Sequence, residues 1–122
     1  MARILIVEDH PANLKLARVI LEREGHEVIG IDNATDGVLL AAECRPHLIL
    51  MDIQLPGLDG FEATRMLKRQ ELTAHIPVVA LTAFAMPDDP ARMHAAGCDG
   101  YLAKPFRRAS LLKTVARALA YD

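Results

Sequence analysis

Five polar residues stand directly behind short apolar runs of this 122-residue chain. Glu8 and Asp9 follow ILIV (4–7), Asp52 follows HLILM (47–51), Thr82 follows IPVVAL (76–81) and Lys104 follows GYLA (100–103). Carboxylates are almost never buried unless paired, so an acid ending a run such as LILM needs a reason. Three carboxylates within a few ångströms repel, and without a cation one or more takes up a proton. A hard divalent ion removes that conflict. Mg²⁺, with Mn²⁺ as the alternative, takes a near-octahedral set of oxygens at about 2.1 Å and keeps several waters, which suits an open rim with few protein ligands. A carboxylate there can be a covalent nucleophile toward phosphorus, while the metal and a lysine neutralise the transferred group. Thr82 is placed to hydrogen-bond a phosphoryl oxygen, with Ala83 beside it on the cofactor-binding rim.

These residues meet only if the runs preceding them are neighbouring strands. β-branched runs alternate with segments of helical period, the signature of βαβ units on a parallel sheet. ILIV (4–7), EVIGI (27–31), HLILM (47–51), IPVVAL (76–81) and GYLA (100–103) are the five expected strands. Their continuous apolar character marks strands covered by helices on both faces. Between them, Pro11 opens a first helix carrying Leu14, Ala17, Ile20 and Leu21, and Gly25 offers its exit. Further helices are expected over 35–44, 60–70 and 88–96, with Leu111, Leu112, Val115, Ala116 and Leu119 on one face of a fifth. Ligands of such sheets bind beyond the carboxyl ends of the strands, which is where the polar residues fall. Each has an ordinary reading: Glu8 and Asp9 as helix caps, Asp52 satisfied by backbone amides, Thr82 as a strand end, Lys104 as a solvated loop residue. Those readings do not explain why all five share one edge.

Composition narrows the alternatives. An apolar fraction of 52% with 25% charged residues fits one globular domain spanning 1–122. The net charge of −2 offers no basic field for nucleic acid or an anionic membrane. Cys44 and Cys98 form no CxxC pair, and acids follow directly on the first apolar run, so neither a secretory leader nor a membrane span is expected there and a cytoplasmic setting is the natural reading. The five histidines lack zinc-site spacing; His10, beside two acids, is the one of interest.

VED (7–9), LILMDIQLPGLDGFE (48–62), VVALTAFAM (78–86) and GCDGYLAKPF (97–106), in this order, resemble the receiver domain of two-component response regulators, of the single-domain kind. The resemblance implies a flavodoxin-like, doubly wound α/β fold with five helices and strand order 2-1-3-4-5, an order that receivers share with flavodoxin. It implies a phosphorylation-controlled switch with Asp52 as phosphoacceptor. Asp9 would be a direct Mg²⁺ ligand, Glu8 would act through water, and the Gln54 carbonyl would complete the protein's share. Lys104 would pair with the phosphoryl group, the peptide before Pro105 would be cis, and Thr82 with Tyr101 would form the switch pair. Gln54 and Phe84 would flank the path of the water that hydrolyses the aspartyl phosphate, slowly where Phe84 covers it. The implied donor is a histidine kinase or a histidine phosphotransfer protein. With no second domain after the fifth helix, output is expected by contact with protein effectors through the face of helix 4, strand 5 and helix 5.

Two other chemistries share parts of this pattern. Phosphatases of the haloacid dehalogenase type carry a second acid two residues after the nucleophile, where this chain has Gln54, and place the nucleophile after the first strand. A nucleotide-binding module of flavodoxin type needs hydroxyls, glycines or free amides in its first loop, where EDHPANLK (8–15) is acidic. A receiver reduced to a scaffold would have lost acids that are all present.

Overall fold

The computed structural model describes residues 1–83 and 87–120. Five strands, β1 (Arg3–Val7), β2 (Glu27–Ile31), β3 (Leu48–Asp52), β4 (Val78–Thr82) and β5 (Gly100–Ala103), alternate with five helices. The helices are α1 (Pro11–Arg23), α2 (Ala34–Cys44), α3 (Gly60–Arg69), α4 (Asp89–Ala96) and α5 (Arg108–Leu119). The strands form one parallel sheet in the order β2-β1-β3-β4-β5. This is the doubly wound α/β fold expected from the sequence.

Alternation along the strands sends side chains to two separate cores. Ile4, Ile6, Leu48 and Leu50 pack with α1 and α5, through Ala17, Ile20, Leu21, Leu111 and Val115. Leu5, Val7, Ile49 and Met51 pack with α2 and α3, through Val38, Ala41, Ala63 and Leu67. These strand residues are fully buried, each stabilising the fold by about 1.5–3 kcal/mol. β1 and β3 are therefore a rigid floor. A smaller third cluster, Ile53, Phe61, Ala80, Met93 and Ala96, lies beneath α4.

Local chemistry sets the helix ends. Asn33 accepts from the Asp36 amide at 2.8 Å and starts α2; Asp59 accepts from the Glu62 amide at 2.9 Å and starts α3. Gly97, at φ 96°, ends α4. Some boundaries differ from the sequence expectation. β3 runs one residue further, so Asp52 lies inside the sheet opposite Leu81, while His47 stays outside it. β4 starts at Val78 because the Ile76 amide bonds to Thr73 O at 3.0 Å and Pro77 has no amide to give. On α5, Ala116 is exposed and Ala118 packs on the core in its place.

Candidate functional site at the carboxyl rim of the sheet

Register brings the carboxyl ends of the strands together: Val7 lies opposite Met51, Asp52 opposite Leu81, and Thr82 opposite Ala103. Asp52 ends the central strand and is 1% exposed, and Glu8, just beyond β1, is 2% exposed. Lys104 reaches across from the end of β5. Its Nζ stands 2.7 Å from Glu8 Oε1 and 2.9 Å from Asp52 Oδ2. The other oxygens are met by main chain: Asp52 Oδ1 accepts from the Gln54 amide at 3.0 Å, and Glu8 Oε2 from the His10 amide at 3.2 Å. Asp9 completes the group, with Oδ1 3.2 Å from His10 Nδ1. Ligand-capable atoms of Glu8, Asp9, His10 and Asp52 all lie within 4.8 Å of one another.

Glu8 Oε1, Asp9 Oδ1 and Asp52 Oδ2 are buried and accept no hydrogen bond. The first and last have the Lys104 ammonium within ion-pair reach, but one ammonium does not balance three carboxylates. Burial pushes the Asp52 carboxyl above its ordinary pKa, and neighbouring Glu8 pushes it further; Lys104 and the Gln54 amide oppose this without reversing it. Burial acts on Glu8 in the same sense, but its contacts with Asp52, Lys104 and the His10 amide prevail and hold it below the ordinary value. Burial alone would lower Lys104, yet the two carboxylates raise it, so it stays an ammonium. Three converging oxygen donors with unmet acceptor capacity fit a hard divalent ion.

Backbone close to the site is equally constrained. The Gly60 Cα faces Asp52 O and the Ile53 Cα so closely that no Cβ fits between them. Gly57, by contrast, is needed for its φ of 76°. The Lys104–Pro105 peptide is cis, and the Lys104 amide donates to Thr82 O at 2.7 Å. Thr82 is buried at the end of β4, and Ala83 after it is exposed.

The structure thus gathers Glu8, Asp9, Asp52, Thr82 and Lys104 at one rim. Gln54 contributes its amide to Asp52 and is exposed. Tyr101 lies on β5 opposite Ala80, two register positions from the Thr82–Ala103 pair and so on the same face as Thr82. At 57% exposure it is more open than the half-buried aromatic its strand position suggests. Phe84 lies outside the described residues. Sequence reasoning singled out His10 beside the acid pair but did not foresee Asp59 as the cap of α3. An Asp three residues before Glu62 at a helix start was the available signal for that cap.

Comparisons with known proteins agree with this geometry. The family profile described as "Response regulator receiver domain" matches residues 4–116. The polar-differentiation response regulator DivK of Brucella anthropi is 45% identical over 112 residues, 92% of this chain and 91% of that protein. The DivK of Brucella ovis is 44% identical over the same length. The receiver domain of the sensor histidine kinase PA1611 from Pseudomonas aeruginosa, solved with a magnesium ion in its active-site cleft, superimposes with a TM-score of 0.90 at 39% identity, covering 98% of each chain. The chemotaxis response regulator CheY4 of Vibrio cholerae gives 0.91 at 29% identity, covering 97% of this chain and 98% of that one. The chain belongs to the response regulator receiver family, the phosphoryl acceptors of two-component signalling. The phosphatase and nucleotide-binding readings are not favoured. No helix among the described residues is long and apolar enough to cross a membrane.

Proposed function

We propose that Asp52 takes the phosphoryl group from a phosphohistidine of a histidine kinase or histidine phosphotransfer protein, and that residues 1–122 form one receiver domain working in the cytoplasm. The observation that carries this reading is the placement of Asp52 at the end of the central strand, between Lys104 and two further acids. Rigid placement favours the in-line geometry of transfer. An Asp52 carboxylate oxygen forms the new bond to phosphorus as the bond from phosphorus to the donor imidazole breaks. Lys104 neutralises charge on the transferred group, and Thr82, with Ala83 beside it, borders the phosphoryl oxygens. Glu8, Asp9, Asp52 and the Gln54 carbonyl would hold Mg²⁺ or Mn²⁺, which supplies positive charge against those oxygens when bound.

Thr82 and Tyr101 form the switch pair. Movement of Thr82 toward a phosphoryl oxygen frees space on the face it shares with Tyr101, shifting the population of conformers on the α4-β5-α5 face that protein effectors read. Self-dephosphorylation is slow: Gln54 is placed to orient a water, and an apolar ring at Phe84 offers that water no base. The test is intact mass after treatment with a phosphohistidine donor or acetyl phosphate and Mg²⁺. Wild type should gain one phosphoryl group and Asp52→Asn none; a stable gain on Asp52→Asn would overturn the assignment. In the same sample, Tyr101 ring resonances unmoved by phosphorylation would remove Tyr101 from the switch.

A further inference from the structure

His10 follows the acid pair and stands at the N-cap of α1, yet its side chain makes no capping hydrogen bond. Pro11 sets the helix start instead. The imidazole is turned to the acids, with Nδ1 3.2 Å from Asp9 Oδ1 and 3.5 Å from Glu8 Oε2, and the ring is open to solvent on its other side. An ordinary ion pair would explain the proximity. Asp9 Oδ1, however, accepts no hydrogen bond, so the approach is not that of an N–H aimed at its acceptor.

Two ligand atoms in adjacent positions around one octahedral ion, each about 2.1 Å from it, are about 3.0 Å apart. The spacing of Nδ1 from the two carboxylate oxygens is close to that edge. Glu8 and Asp52 mark where a cation belongs: each side chain is at most 2% exposed, and Glu8 Oε1 and Asp52 Oδ2 share the single Lys104 ammonium at 2.7 and 2.9 Å, which leaves the third acid of the cluster unbalanced. A nitrogen donor among these oxygens changes which ions the site prefers. Mg²⁺ and Mn²⁺ suit oxygen ligands, whereas imidazole suits the later first-row metals.

We propose that His10 is a protein ligand of this rim through Nδ1, so that the site takes Co²⁺ in preference to Mg²⁺. The proposal rests on reading the rim as a divalent-ion site and adds a fourth side chain to it. His10 is the selecting residue, and the carboxylates hold any of the three ions.

Titration calorimetry with Mg²⁺ and Co²⁺, and pulsed electron paramagnetic resonance of bound Mn²⁺, test it on the full chain without phosphodonor. Wild type should show ¹⁴N modulation from a directly bound imidazole, absent in His10→Asn. Replacing His10 by Asn should weaken Co²⁺ at least about tenfold, the lower end of what even an indirect ligand partner is worth, and change Mg²⁺ less than about twofold. Asp9→Asn should weaken all three ions. Equal Co²⁺ to Mg²⁺ ratios in wild type and His10→Asn, or a ¹⁴N signal that survives in His10→Asn, would overturn the role of His10 and leave the divalent-ion reading intact. Absence of any divalent binding to wild type would overturn both.

Discussion

The two ends of the same five strands are built on opposite terms. At the amino end polar groups are paired across strands and loops: Ala2 and Arg3 amides donate to Nδ1 of His26 and His47 at 3.2 and 2.9 Å. Arg3 pairs with Glu27 at 3.1 Å and donates to Cys44 O at 2.8 Å. Asp99 Oδ2 takes both the Val78 amide at 2.8 Å and Lys68 Nζ at 2.9 Å, and Lys68 also reaches Ile76 O at 2.8 Å. At the carboxyl end, three acids crowd around one ammonium and buried oxygens go without hydrogen bonds. The amino end spends its polar groups on holding strands in place. The carboxyl end leaves charge uncompensated and relies on close-packed backbone to keep that charge in position. Unmet electrostatics on a rigid floor are what a binding site requires before its ligand arrives.

That contrast predicts that the carboxyl rim is intolerant of added volume and tolerant of lost charge, and that the amino rim depends on its polar contacts. The largest effect is expected from Gly60→Ala, whose Cβ has only backbone to push against. It should destabilise the fold by at least about 2 kcal/mol and slow phosphoryl uptake. Urea unfolding at unchanged slope measures the first, and a variant as stable as wild type would show that the rim backbone yields. Next comes Asp99→Ala, which strands the Val78 amide and takes the carboxylate partner from Lys68. A loss of about 1–3 kcal/mol with normal phosphoryl uptake is expected, and impaired uptake would mean that the two rims are not separable. Smallest is the stability change of Asp52→Asn without divalent ion. Folded Asp52 binds its proton more readily than unfolded Asp52, so raising the pH above the unfolded value of about 3.9 withdraws stability from wild type and not from the variant. The variant should therefore gain on wild type as pH rises through the range where folded Asp52 loses its proton. A gap that closes with rising pH would contradict crowding at this rim.

Legibility from sequence followed the same division. Apolar runs ending in polar residues marked the strands and the rim they point to, because strand-end chemistry is local and the sheet carries it into register. Asp52, Glu8, Asp9, Thr82 and Lys104 were all legible in that way. What was not legible depends on contacts between distant segments. Lys68 and Asp99 look like solvated charges until α3 and the start of β5 are side by side. Gly60 reads as a loop glycine in LPGLDG; only the closeness of Asp52 O shows that it is there for space and not for φ. The start of β4 was misplaced because apolar Ile76 is buried beside the sheet without joining its ladder.

α4 is an eight-residue helix whose buried apolar side chains are Met93 and Ala96, packed on the smallest of the three clusters, with Arg92 resting 4.2 Å over the Phe61 ring. By contrast, α1 is anchored by Ala17, Ile20 and Leu21 in the largest core. Releasing α4 exposes little oil to water, so its opening is expected at a lower free energy than unfolding of the sheet. The molecule therefore has a graded stability landscape, with a firm floor under the chemistry and a lightly held helix beside it. Under the proposed function, a local charge change at the rim would have only that shallow step to tip.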